Sequence, residues 1–143
     1  MLDYQHNLCE YFLWMRKVSN YVSDEYGIEV NLEGKECVFH YDPKQSTIEI
    51  EESIPPRDKL YALLHEVGHL SRIIENQEDS TFFMDATGSK NKKELTMTLI
   101  EEVLAWKKAE EIAHKMEIDI EERAWKRFVV KNVAEYINWI REI

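Results

Sequence analysis

Glycine and proline are scarce in this chain, with four and three among 143 residues. That shortage argues against a turn-rich β fold and favours helices. No run approaches the ~20 apolar residues that a membrane-spanning helix needs. Basic charge is also in deficit, 18 Lys and Arg against 28 Asp and Glu, for a formal net charge of −10. This argues against non-specific nucleic-acid binding, which needs Lys and Arg to displace phosphate counterions, and against an anionic membrane surface. Cysteine is limited to Cys9 and Cys37, far apart and outside any Cys-x-x-Cys pair. Two buried thiols in a reducing compartment are expected rather than a disulfide. The opening stretch has no basic n-region followed by a long apolar segment, so a cytoplasmic protein is expected.

What the chain does have is a core's worth of large side chains: four Trp, seven Tyr and five Phe, in a composition 44% hydrophobic and 32% charged. Length and composition together predict one soluble globular domain over residues 1–143. Leu8, Phe12, Met15, Val22 and Tyr26 recur at helical spacing and predict a helix over about 3–25, ended by Gly27. The runs "ECVFHY" and "STIEIEE" flank "DPKQ" and predict a β-hairpin at about 35–52. Ile48 and Ile50 alternate with Glu49 and Glu51, as on a half-buried or edge strand. Pro55 and Pro56 close the strand and can open a helix. Residues 76–92 read as a loop with one short strand at "TFFM". Two long helices follow, over about 93–117 and 120–141, the second with Trp125, Phe128, Val129, Tyr136, Trp139 and Ile140 on one side. The predicted class is α+β and mostly helical.

The chemistry lies in "LLHEVGHL", residues 63–70, which sets His65, Glu66 and His69 in the order His-Glu-x-x-His. Residues four apart on a helix share a face and lie ~5–6 Å from each other. Two imidazoles so placed can bind one Zn²⁺, and the carboxylate beside them can act as general base on a water that the metal has made acidic. Chance would produce the motif in roughly 2–3% of chains of this composition, so its helical context has to carry the rest. That context includes Gly68, whose missing side chain leaves room for another backbone or a ligand. Leu60, Leu63, Leu64, Val67, Leu70 and Ile74 form an apolar stripe, and both histidines fall nearly opposite it. The plain alternative is two histidines on a solvated face. A metal site requires another element to cover that face and supply a third ligand.

Catalytic zinc usually keeps three protein ligands. In "LTMTLIEEVLAWKKAEEIA", Glu102 falls inside the stripe Leu95, Leu99, Val103, Trp106, Ala109, Ala113, Met116. A carboxylate there is costly unless paired or metal-bound. Glu102 is therefore the first candidate for third ligand and Glu101, on the polar flank, the second. A salt bridge from Arg72, Arg123 or Arg127 is the structural alternative for Glu102. His114 lies twelve positions beyond Glu102, ~18 Å along the axis, and cannot share the metal. His6 and His40 have no partner at motif spacing. Asp85 and Glu75 are possible supporting groups.

"LLHEVGHL" followed some thirty residues later by "EEVLAWKKAEEIA" resembles the small HExxH metallopeptidases of the gluzincin kind, most of all the ImmA/IrrE-type peptidases of bacteria, phages and mobile elements. The likeness spans about residues 45–113, with Glu102-Val-Leu-Ala105 matching a Glu-x-x-Ala motif and Trp106 where those proteins often carry Asn. The resemblance implies a minimal zincin-like domain and zinc-dependent hydrolysis of a polypeptide, in some members a repressor protein. His65, His69 and Glu102 would be the metal ligands and Glu66 the base and acid. Tyr41 and Tyr61 are candidates for the group that stabilises the oxyanion. Two other functions remain open: a metal-stabilised, non-catalytic phage or prophage accessory protein (inhibitor or adaptor), and a helical interaction module without metal. Zinc is the expected ion, although the same ligands also suit Mn, Fe or Co.

Overall fold

The computed structural model describes residues 7–75 and 91–142. In chain order the elements are α1 (Leu8–Tyr26), β1 (Glu29–Gly34), β2 (Val38–His40), β3 (Thr47–Glu51), α2 (Pro56–Glu75), α3 (Lys92–Lys115) and α4 (Glu122–Glu142). This is a mostly helical α+β arrangement, as the sequence predicts. The chain divides into two compact units, residues 1–66 and 67–143, and the division falls inside the unbroken helix α2. The segment expected to hold the short strand at "TFFM", with Asp85 and Gly88, lies outside the described residues, as does His6. Among the described residues no helix is long and apolar enough to cross a membrane.

In the first unit, Asn7 caps α1 by accepting a hydrogen bond from the Glu10 N–H at 3.0 Å. Gly27 ends the helix in the left-handed region, φ 65°, which an L side chain rarely adopts. The buried face is Tyr11, Met15, Val18 and Val22. Leu8 and Phe12, which the sequence pattern assigns to that face, are instead exposed. Leu8 stands in the first turn, and Phe12 is about a quarter turn round from the buried row.

The β2–β3 hairpin forms as predicted, antiparallel, with Phe39 opposite Ile48. Its turn is tied by Asp42 Oδ1, which accepts from the Lys44 N–H at 2.8 Å. β1 is an addition to the predicted elements. It pairs in parallel with β3, so the sheet order is β1-β3-β2. β3 is therefore the central strand and not an edge. Ile48 and Ile50 are wholly buried while Thr47, Glu49 and Glu51 stay half-exposed, which is the alternation read from the sequence.

α2 opens at Pro56, where a missing N–H costs nothing, and its first intrahelical bond runs from the Lys59 N–H to Pro55 O. Leu60, Tyr61, Leu63 and Leu64 bury the first half of the helix. Lys59 Nζ donates to Leu32 O at 3.4 Å, joining α2 to β1.

In the second unit, Asn91 caps α3 by accepting from the Lys93 and Glu94 N–H groups. The buried row of α3 is Leu95, Thr98, Ala105, Trp106, Ala109, Ile112 and Ala113. Val103, expected inside, is exposed, and Glu102 lies in the row one turn beyond Thr98 and just before Ala105. The end of α3 closes with Ile118 N–H on Ala113 O and Glu117 N–H on His114 O, which requires φ 57° at Glu117. α4 docks on α3 through aromatic edges. Trp106 meets Trp125 and Phe128 with ring centroids 5.3 and 5.6 Å away. Both cysteines are free, and neither residue is buried as expected, although the Cys37 sulfur itself is partly shielded.

Candidate functional site

Gly68 decides how close α3 can come to α2. A Cβ at Gly68 would run into the Ala105 carbonyl oxygen, and would stand 3.1 Å from Ala109 N and 3.2 Å from Ala105 C. The two backbones are in contact here, and only small residues allow it. Glu102 sits one turn before Ala105, so the same contact delivers its carboxylate to α2. His69 Nε2 and Glu102 Oε1 are 3.0 Å apart.

His65 is one turn before His69 on the same continuous helix. His65, His69 and Glu102 each offer one ligand atom, and these atoms lie within 4.8 Å of one another. Ligand atoms around a tetrahedral zinc ion are about 3.3 Å apart, a spacing that side-chain torsions can reach from here. The side chains are well shielded, with 13%, 20% and 12% exposure for His65, His69 and Glu102. Two imidazoles and a carboxylate, mostly out of water, suit zinc. The face opposite the leucine stripe is thus covered over His69, as a metal site requires.

Glu66 is equally shielded, and its Oε1 stands 4.0 Å from His65 Nδ1. Glu101 has a different role. Arg72 donates to it through Nε at 2.7 Å and Nη2 at 3.0 Å. This two-pronged pair raises the Arg72 pKa, chiefly through the hydrogen bond to Glu101. Of the two neighbouring glutamates, the geometry groups Glu102 with the histidines and pairs Glu101 with Arg72. Arg123 and Arg127, the other suggested partners, are exposed on α4. Glu75 is engaged by Lys108 Nζ at 2.7 Å and by Ser71 at 3.4 Å, a second bridge from α2 to α3.

Of the tyrosines suggested for the oxyanion, Tyr41 is 77% exposed beyond β2, and Tyr61 is buried on α2, four residues before His65. A tyrosine from α4 does meet the cluster: the Tyr136 hydroxyl donates to Glu102 Oε1 at 3.1 Å. Its sequence signal was a phenol on the apolar side of α4, where a hydroxyl needs a partner. His114 is exposed near the end of α3. A second group, Glu36, His40 and Glu49, also lies within ligand spacing, but two of the three are exposed.

The Cys37 thiol, just before β2, is held above its ordinary pKa. Shielding of the sulfur is the main cause, offset by the Glu51 N–H and reinforced by the Glu66, Glu51 and Glu49 carboxylates. Comparison of the chain with protein-family models, with curated proteins and with solved structures gives no match.

Proposed function

We propose that this chain is a zinc-dependent peptidase that hydrolyses a peptide bond of a polypeptide substrate. The observation that carries the reading is the convergence of His65, His69 and Glu102 beside Glu66. An ion held by the three would supply Lewis acidity for attack on a peptide carbonyl. Glu66 accepts the proton of the attacking water as its oxygen bonds to the carbonyl carbon. The C–N bond then breaks, and Glu66 returns the proton to the departing amine. The shielding of Glu66 limits competition from bulk water for that proton.

The substrate would bind as an added strand. Because β3 is paired on both sides, the added strand would pair with one of the two outer strands, β1 or β2, and not with β3. A cytoplasmic site of action is supported by the free thiols of Cys9 and Cys37.

The test compares wild type with Glu66→Gln, both loaded with zinc, on a mixture of synthetic peptides read by mass spectrometry. Wild type should cleave, and Glu66→Gln should keep its zinc while losing about 10²–10⁴-fold in rate. Undiminished turnover by Glu66→Gln would refute the role of Glu66. Zinc binding without any cleavage by wild type would favour the non-catalytic accessory protein, and failure to bind zinc the interaction module.

A further inference from the structure

Glu102 Oε1 lies 3.0 Å from His69 Nε2 and accepts a hydrogen bond from the Tyr136 hydroxyl at 3.1 Å. The histidine belongs to the cluster itself. The phenol comes from another helix, 34 positions further along the chain. A carboxylate on a helix can rotate about its terminal torsion at little cost, and that torsion has broad minima. A donor fixed from outside removes this freedom before any cation arrives.

Tyr136 is itself well placed to do so. Its ring packs edge-on against Trp139 with centroids 4.9 Å apart, and α4 is anchored on α3 by Trp125 and Phe128 against Trp106. Trp125 is the one buried residue of α4, while Val130 and Ile137 are 65% and 51% exposed. In the C-terminal half of α4 the phenol–carboxylate bond is a directed polar contact with α3.

We infer that Tyr136 is a positioning residue for the Glu102 carboxylate, holding it in the orientation from which it binds a divalent cation together with His65 and His69. The inference rests on the metal reading proposed above. Hydrogen-bond partners of this kind typically change metal affinity about 10–100-fold when removed. Tyr136→Phe deletes the donor and keeps the ring that packs on Trp139.

The experiment measures zinc affinity by competition with a chromophoric chelator for wild type, Tyr136→Phe, Glu102→Gln and the double variant. Thermal melts of the metal-free proteins report folding. Tyr136→Phe should bind zinc about 10–100-fold more weakly than wild type. In the Glu102→Gln background the same change should cost little, because the group it positions is no longer a carboxylate ligand. An unchanged affinity in Tyr136→Phe would overturn the inference while leaving the metal reading intact. So would an equal loss in both backgrounds, or a Tyr136→Phe protein that fails to fold, since either makes the hydroxyl a support of the fold alone. If wild type binds no zinc, the metal reading itself falls, and the inference with it.

Discussion

Replacing Gly68 by alanine sets two effects of known size against each other. In a helix interior the change gains about 1 kcal/mol from propensity alone. Against this, the new methyl would be driven into the Ala105 carbonyl oxygen, with Ala109 N only 3.1 Å away. Those are backbone atoms of a neighbouring helix and cannot swing aside as a long side chain can. Overpacking of this kind typically costs about 1–3 kcal/mol, and rigid neighbours push it to the upper end. The net expectation is a loss of about 1–2 kcal/mol, with α3 displaced from α2. Glu102 rides on α3 one turn from the contact, so its 3.0 Å approach to His69 should open. Ligand positions tolerate only about ±0.2 Å, so zinc affinity should fall by more than stability does. Urea denaturation of the metal-free protein gives the first quantity and chelator competition the second. A Gly68→Ala protein that is more stable than wild type and binds zinc equally well would refute the close helix contact as the device that sets Glu102.

Arg72→Ala should cost roughly 1.5–3 kcal/mol in urea melts, because it leaves the half-buried Glu101 carboxylate without its two-pronged donor. The Lys108 ammonium holds the Glu75 carboxyl below its ordinary 4.5, mainly through their hydrogen bond. A carboxyl depressed by folding contributes stability that is complete above the unfolded value and fades as pH falls through the folded one. Stability should therefore drop on acidification below about 4.5, and Glu75→Gln should flatten that part of the curve in pH-dependent melts. Glu117 sits at φ 57° in the turn after α3, so Glu117→Gly should raise stability by up to about 1 kcal/mol, read as a higher melting temperature.

The local features of the site are visible in the sequence. His65, Glu66 and His69 are fixed by helix periodicity, and a carboxylate among apolar residues marks Glu102. The register of the buried row on α3 was harder to read. Hydrophobicity favours Val103, yet the helices meet through Gly68, Ala105 and Ala109, where closeness and not side-chain size determines burial. β1 alternates Val30 and Leu32 with polar residues, but its parallel partner lies beyond the hairpin, and no local pattern encodes that pairing. The same pairing makes β3 central rather than an edge. Tyr136 reads as one more aromatic on α4 until α4 is docked on α3, since its link to Glu102 spans 34 residues.

Zinc-edge X-ray absorption on protein loaded with one equivalent of zinc tests the proposed metal site most directly. The expected spectrum has nitrogen and oxygen ligands at about 2.0–2.1 Å, scattering from two imidazole rings, and loss of one ring in His69→Ala. A spectrum without imidazole scattering, or one unchanged in His65→Ala, His69→Ala and Glu102→Ala, would contradict it.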